Sequence, residues 1–176
     1  MKLPLLPFRP VECVEDIFCD ISVSPSTEAI SICYRIKGNL AEILWAGKKK
    51  HVTGSLELWH STCFECFFGS ACTSEYYELN QSPAGDSAFY NFAYYRGKKR
   101  TSDTSVGYNF SLSLDDYECN ARIDMPLPYQ IPFYFGPAVI IEDNENELHY
   151  FGISHPEGAP DFHSRSHHKL ISGEVT

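Results

Sequence analysis

The sequence lacks any long run of apolar residues, and it has few basic residues relative to its acidic ones. A membrane-spanning helix needs about 18 or more consecutive apolar residues, so we expect no transmembrane segment. The 14 Lys and Arg residues stand against 23 Asp and Glu residues, which gives a formal net charge of -9. Because an acidic chain repels phosphate backbones and anionic lipids, we expect neither a nucleic acid nor a membrane as partner. The short basic runs at residues 48–50 and 97–100 are predicted to be solvated turns.

The sequence has an odd number of cysteines, and it lacks the apolar core of a signal peptide. Its first residues are interrupted by Pro4, Pro7 and Pro10, which leaves no apolar stretch long enough for a signal-peptide core. Seven cysteines fit free thiols in a reducing compartment better than a disulfide framework. These two observations predict a cytoplasmic protein.

Cys63 and Cys66 have the C-x-x-C spacing that is common in redox and zinc sites. A zinc site would need a second pair of ligands, and a redox site would need the motif at the start of a helix. Here the motif lies in a strand-like segment, in which residues three apart point to opposite faces. We therefore expect two buried structural thiols.

Alternation of apolar and polar residues recurs along nearly the whole chain, and no window shows a helical stripe of about ten residues. The aromatic content is high at 14%, with 11 Gly and 11 Pro, which favours short strands and turns. The predicted strands cover residues 17–23, 30–37, 40–45, 56–69, 75–81, 87–95, 106–114, 117–124, 138–142 and 147–153. About ten short strands predict an all-β fold, a single-domain antiparallel β-sandwich of the jelly-roll kind. The domain would span residues 1–176, with a core at about 11–163 and a short polar C-terminal tail.

Side chains suited to sugar binding fall on one face of three successive predicted strands. They are Trp59 and Glu65 on the first strand, Glu78 and Asn80 on the second, Arg96 at the end of the third, and the flanking Tyr76 and Tyr94. Aromatic rings stack on the C–H faces of sugars, while carboxylate, amide and guanidinium groups hydrogen-bond to hydroxyls. The alternative interpretation is a buried Glu65–Arg96 ion pair in a tyrosine shell that fixes the register without a ligand.

Three stretches of the sequence resemble the motifs of bacterial DOMON-like domain proteins. Residues 58–67 (LWHSTCFECF) resemble the pattern L-W-x-x-T-C-F-E-x-F. Residues 77–85, followed by Tyr90, Phe92 and residues 95–97, resemble the second motif, and residues 155–163 resemble the closing H-P-x-x-x-P-D-F-H. The matches follow the family's order and span nearly the whole chain.

The resemblance implies a β-sandwich like that of family-9 carbohydrate-binding modules and DOMON cytochrome domains, which bind sugars or haem without catalysis. In the sugar-binding relatives an aromatic and a nearby acidic residue on one strand hold the sugar, and Trp59 and Glu65 match these positions. Phe151 stands where the family usually has a second tryptophan, so stacking remains available there. The resemblance therefore implies a non-catalytic binding module for a carbohydrate or sugar derivative. Its site residues would be Trp59, Glu65, Glu78, Asn80, Arg96, Tyr94 and Phe151.

Two cofactor alternatives remain open. DOMON cytochromes hold haem b through a Met and a His, for which Met125 with His155 or His163 are the candidates. A divalent metal held by His155, Asp161 and His163 is the other. The simpler interpretation of residues 160–163 is a turn, in which Asp161 accepts hydrogen bonds from backbone N–H groups while Phe162 packs in the core.

An enzyme is the alternative from another class. Glu65 and Glu78 are a candidate carboxylate pair for glycoside hydrolysis, which would require them to flank an open cleft at about 5–10 Å. Since the sequence does not fix that distance and the resembled relatives bind without cleaving, we expect no catalysis.

Overall fold

Strands make up nearly all of the regular structure in the computed structural model, which describes residues 1–24, 26–45, 57–97, 99–101, 107–173 and 175. The strands are β1 (Lys2–Pro4), β2 (Leu6–Pro7), β3 (Val14–Ser24), β4 (Ala29–Gly38), β5 (Cys63–Ser70), β6 (Tyr76–Gln81), β7 (Ser87–Phe92), β8 (Lys99–Thr101), β9 (Asn109–Leu114), β10 (Glu118–Pro126), β11 (Phe133–Glu142), β12 (Leu148–Gly152) and β13 (Lys169–Ile171). Three single turns of 3-10 helix occur at Leu40–Glu42, Leu58–His60 and Arg165–His167.

The strands form two antiparallel sheets. The five-stranded sheet has the order β1-β3-β4-β10-β9. The eight-stranded sheet has the order β2-β12-β11-β5-β6-β7-β8, and β13 pairs with β11 beyond the end of β12. This arrangement confirms the predicted antiparallel β-sandwich.

The main core lies between the two sheets. On β4 every second residue is buried, from Ile30 to Ile36, which is the period-two pattern that the sequence shows. On β5 both faces are buried: Phe64, Cys66 and Phe68 belong to the core between the sheets, whereas Phe67 belongs to a second cluster on the outer face. The central strand β5 of the eight-stranded sheet is therefore covered on both sides.

A segment without strands covers part of that outer face. We call residues 153–168 the C-terminal strap, because they run from β12 to β13 across the outside of the sheet. The guanidinium of Arg165 donates to the carbonyls of Thr73 (2.7 Å) and Glu75 (3.1 Å), beside the start of β6. The strap thus forms a second layer over β5, β6 and β11.

The strand predicted over 40–45 does not form, apart from an isolated bridge between Ile43 and Asp143, and the strand predicted over 56–69 starts late. Leu40–Glu42 is a 3-10 turn, because the Leu40 N–H donates to Asp116 and the Trp45 indole closes back on the Leu40 carbonyl at 3.0 Å. The strand predicted over 56–69 begins only at Cys63, and Leu58–His60 is a 3-10 turn. Residues 48–50, Leu56 and Val106 lie outside the described residues.

The ends of the sandwich also reach beyond the predicted core of 11–163. Leu3 of β1 and Ile171 of β13 are buried in the core between the sheets. Both strands are three residues long, so their alternation is too short to stand out from the sequence. The predicted polar tail is therefore part strap and part strand.

The cysteines of the C-x-x-C motif are both fully buried and lie on opposite faces of β5, as predicted. Burial raises the pKa of the Cys66 thiol to about 12, and burial likewise raises the pKa of Cys63. All seven cysteines are free. Protonated, buried thiols of this kind are structural.

None of the helices among the described residues is long and apolar enough to cross a membrane.

Candidate functional site

A cavity of about 420 Å³ opens on the outer face of the eight-stranded sheet. The floor is formed by Glu65, Phe67, Glu78, Phe92 and Ile140 from four neighbouring strands, and the walls by Trp59, Arg96, Gly97, Tyr150, Pro160, Phe162 and His163. The volume lies within the range of about 300–1,000 Å³ that is usual for small-molecule sites. The walls come from the Leu58–His60 turn, the turn after β7, the strand β12 and the strap.

Two carboxylates form the polar part of the floor. Strand register places Glu65 opposite Asn80, and Glu78 opposite Phe67 on the same face. Glu65 is 3% exposed and Glu78 is 4% exposed. Glu78 Oε1 accepts a hydrogen bond from the Asn80 amide at 2.7 Å. Since a buried carboxylate without partners is costly, Asn80 stabilises the charge of Glu78 from beside the cavity.

His163 of the strap links this floor to the turn after β7. Its Nδ1 lies 2.8 Å from the Tyr76 hydroxyl, which also accepts the Arg96 backbone N–H at 3.2 Å. Burial raises the pKa of Tyr76 to about 12, so its hydroxyl keeps its proton at neutral pH. The other ring nitrogen of His163, Nε2, lies 4.0 Å from Glu78 Oε2.

Asp161 fastens the strap to the same turn. It accepts hydrogen bonds from the Arg96 guanidinium (2.9 Å), the Tyr95 hydroxyl (2.7 Å) and the His163 backbone N–H (3.2 Å). Burial by itself would raise the pKa of Asp161, but the hydrogen bonds from Tyr95 and Arg96 hold it below its usual value. The hydrogen bond from the His163 backbone N–H to Asp161 is of the kind that the turn interpretation predicts. Arg96 forms its ion pair with Asp161.

The remaining walls are aromatic. Trp59 makes an edge contact with Tyr90, with ring centroids 6.2 Å apart. Tyr150 and Phe162 pack together at 6.3 Å on the other side of the cavity. Aromatic walls around carboxylate and guanidinium groups provide stacking surfaces together with hydrogen-bond partners.

Four of the predicted site residues, Trp59, Glu65, Glu78 and Arg96, line the cavity together. Asn80 is fully buried beside Glu78, and among the described residues none donates to its Oδ1. Tyr94 does not line the cavity but stands exposed at its mouth.

The prediction that Phe151 belongs to the site needs correction. It is 2% exposed and lies in the core between the sheets, where it pairs with Val139. The neighbouring residue Tyr150 points to the opposite face and lines the cavity. The aromatic residue of β12 that reaches the cavity is therefore Tyr150, one position before the predicted Phe151.

The sequence interpretation also missed Phe67, Phe92, Phe162 and His163 as lining residues. Phe67 and Phe92 were detectable, because they share strand parity with Glu65 and Tyr90. The two strap residues were not, since no periodicity relates an irregular segment to the sheet that it covers.

The residues of the predicted metal site are engaged separately. His155 Nε2 contacts the Leu6 carbonyl at 2.7 Å, whereas Asp161 and His163 hold the strap as described above. Among the described residues, the group whose ligand atoms lie within 4.8 Å of one another is Asp143, Glu147 and His149. In that group Asp143 accepts the Glu147 N–H and lies 2.7 Å from His149 Nε2, so these contacts close the β11–β12 hairpin.

For the haem alternative, Met125 and His163 lie on opposite faces of the eight-stranded sheet. Met125 is buried in the core between the sheets, whereas His163 lies on the outer face of the eight-stranded sheet. The sheet itself separates the two, and the structure does not bring them together.

Comparison with known proteins finds similarity in structure only. No protein-family model matches the chain, and no curated protein matches it in sequence. A crystal structure of a candidate carbohydrate-binding protein from Bacteroides uniformis matches with a TM-score of 0.59 at 15% identity, over 98% of this chain and 85% of that one. A family-9 carbohydrate-binding module from Caldicellulosiruptor kristjanssonii, in complex with glucose, matches with a TM-score of 0.61 at 10% identity, over 97% and 81%. A family-9 module from the same organism in complex with cellotriose matches with a TM-score of 0.56 at 10% identity, over 89% and 73%.

Proposed function

We propose that this chain is a non-catalytic carbohydrate-binding module of the DOMON-like kind, and that the cavity on the eight-stranded sheet is its site. The observation that carries the proposal is the composition of the cavity: two buried carboxylates and an arginine lie between aromatic walls. Sugars need both components, because their C–H faces stack on rings and their hydroxyls take paired hydrogen bonds.

The three motifs that resemble DOMON-like proteins meet at this cavity. The first supplies Trp59 and Glu65, the second supplies Glu78, and the closing motif supplies Phe162 and His163. Motifs that are far apart in sequence but line one cavity support a shared role in binding. The structures that share the fold add to this support, since two of them hold glucose or cellotriose.

In the proposed complex a sugar ring stacks on the aromatic walls, with Trp59 as the main platform. The carboxylates of Glu65 and Glu78 accept hydrogen bonds from ring hydroxyls, and Arg96 donates from the mouth of the cavity. Asn80 and His163 hold Glu78 in place from either side. Such positioning lowers the entropy lost on binding.

Tryptophan fluorescence during titration with a panel of mono- and oligosaccharides tests the proposal. The chain has two tryptophans, Trp45 and Trp59. A Trp45→Phe variant leaves Trp59 as the reporter in the cavity, so a ligand-dependent change then reports on the site itself. A flat response across the whole panel, with no heat of binding in calorimetry, would contradict the proposal.

A matched pair of variants locates the site. Glu78→Gln keeps the shape of the side chain but removes the charge, and we expect about 10- to 100-fold weaker sugar binding. Glu118→Gln is the control, because Glu118 accepts from Asn120 at 2.9 Å in the same Glu-x-Asn arrangement on the other sheet. Equal affinities for the two variants would place the binding site elsewhere.

A further inference from the structure

An exposed tyrosine stands at the mouth of the cavity without lining it. Tyr94 follows the end of β7 and is 58% exposed. The Gly97 N–H donates to the Tyr94 carbonyl at 2.9 Å, which closes a turn whose last residue, Gly97, does line the cavity. Tyr94 therefore belongs to the same short hydrogen-bonded turn as Arg96 and Gly97, which line the cavity.

The ring lies directly against the backbone of this turn. A Cβ atom placed on Gly97 would lie 2.6 Å from the Tyr94 ring, so the ring occupies the space that the glycine leaves free. One side of the ring is supported, and the remaining surface faces solvent. An aromatic surface that is already held in place loses little entropy when a ligand stacks on it.

Polar groups belong to the same turn as this ring. The guanidinium of Arg96, whose side chain is 52% exposed, is held by Asp161 at 2.9 Å in the same turn. The mouth of the cavity therefore repeats the combination found inside, an aromatic surface next to groups that hydrogen-bond to hydroxyls. A chain of sugars that leaves the cavity past Arg96 and Gly97 meets Tyr94 next.

We propose that Tyr94 forms an outer subsite: one sugar ring occupies the cavity and the following ring stacks on Tyr94. The ligand is then an oligosaccharide and not a free monosaccharide. This inference rests on the proposed function, because it needs the cavity to hold the first ring.

The test compares one sugar at two chain lengths. Calorimetric titrations with glucose and with cellotriose are made on the unmodified chain, Tyr94→Ala, Tyr94→Phe and Tyr117→Ala. If the panel identifies another sugar, its monosaccharide and trisaccharide are used in the same way. Tyr117 is the matched control, since it is 49% exposed and lies at the β9–β10 turn of the other sheet.

The unmodified chain is expected to bind the trisaccharide about 3- to 10-fold more tightly than the monosaccharide, and Tyr94→Ala is expected to lose that difference. Tyr94→Phe, which keeps the ring, and Tyr117→Ala are expected to retain it. Thermal unfolding of each variant shows whether the turn remains folded.

Two results would overturn the outer subsite while leaving the cavity in place: no preference for the longer chain, or the same loss for both ligands in Tyr94→Ala. Absence of binding to every glycan would instead overturn the proposed function, and the subsite with it.

Discussion

At the scale of single residues, His168 is a side chain whose surroundings disfavour a charge. Its Nε2 lies 2.8 Å from the Phe162 carbonyl, to which it donates, and its ring packs against Phe67 with centroids 5.9 Å apart. Burial lowers the pKa of His168 to about 4, and the nearby Arg165 acts in the same direction. The native protein therefore holds a neutral imidazole under its strap.

This burial predicts a loss of stability in mild acid. Between about pH 6.5 and pH 4 the unfolded chain binds a proton at His168 that the folded chain does not, so the free energy of unfolding falls as the pH falls. The loss attributable to this one residue is about 2 kcal/mol at pH 5. Urea unfolding at about pH 7 and about pH 5 measures it.

His168→Gln is the variant for this experiment, because glutamine keeps an N–H donor for the Phe162 carbonyl and does not titrate. We expect the variant to lose less stability than the unmodified chain between the two pH values. The same loss in both proteins would show that His168 is not its source.

At the same scale, strand parity predicted the two carboxylates of the cavity floor, whereas the resemblance misplaced one aromatic residue. Glu65 and Glu78 lie on the predicted face because each belongs to an uninterrupted strand. For β12 the resemblance placed the aromatic at Phe151, but register turns that side chain to the core and Tyr150 to the cavity. Because the side-chain period is two, an offset of one residue exchanges the two faces.

At the scale of elements, the contact between β11 and the strap depends on a glycine. A Cβ atom on Gly136 would lie 2.3 Å from the ring of His168. Gly136 and Pro137 also fall between the parts of β11 that pair with β13 and with β12. A proline is tolerated in a strand where no ladder donor is needed on that side.

Gly136→Ala is therefore expected to displace the His168 ring and with it the strap. We expect a net destabilisation of about 1–3 kcal/mol, because overpacking outweighs the roughly 0.4–1 kcal/mol gained from a less flexible unfolded chain. Sugar binding should weaken as well, since the strap forms one wall of the cavity. Urea unfolding and glycan titration measure the two effects.

Gly107→Ala is the control for this variant, because among the described residues no atom beyond its chain neighbours lies within 4 Å of the corresponding Cβ position. We expect its effect on stability to stay within about 0.5 kcal/mol. If both variants behave alike, the close contact at Gly136 does not constrain the strap.

The strap is also the element that the sequence described least well. Residues after Pro160 are polar and have no period, so they indicate a tail. The defined conformation of these residues comes from particular contacts, such as those of Asp161 and Arg165. Each of these contacts joins residues more than sixty positions apart. No local pattern encodes such pairs, so the periodicity of the sequence did not predict the three wall residues that the strap supplies, Pro160, Phe162 and His163.

At the scale of the whole molecule, the sandwich followed from alternation, whereas the order of its strands did not. Pairing of β4 with β10 joins Tyr34 to Ala121, and no periodic signal specifies that neighbour among the available strands. Between the sheets the contacts are mainly apolar, and Tyr34 is a side chain that crosses with a polar group. The Tyr34 hydroxyl of the five-stranded sheet donates to the Glu65 carbonyl of the eight-stranded sheet at 2.5 Å.

This bond ties the second sheet to the strand that forms the floor of the cavity. Tyr34 is fully buried, its ring packs against Phe64 with centroids 5.5 Å apart, and its hydroxyl also lies 3.0 Å from Cys66 Sγ. Tyr34→Phe keeps the ring and removes the hydroxyl, and we expect it to lower the free energy of unfolding by about 1–2 kcal/mol.

Tyr117→Phe is the comparison, because it removes a hydroxyl that binds Glu15 at 2.6 Å on the exposed surface. Its cost should be below about 0.5 kcal/mol, since solvent replaces that bond. Urea unfolding of both variants measures the two losses of stability. Equal losses would mean that the buried hydrogen bond between the sheets contributes no more than a surface contact.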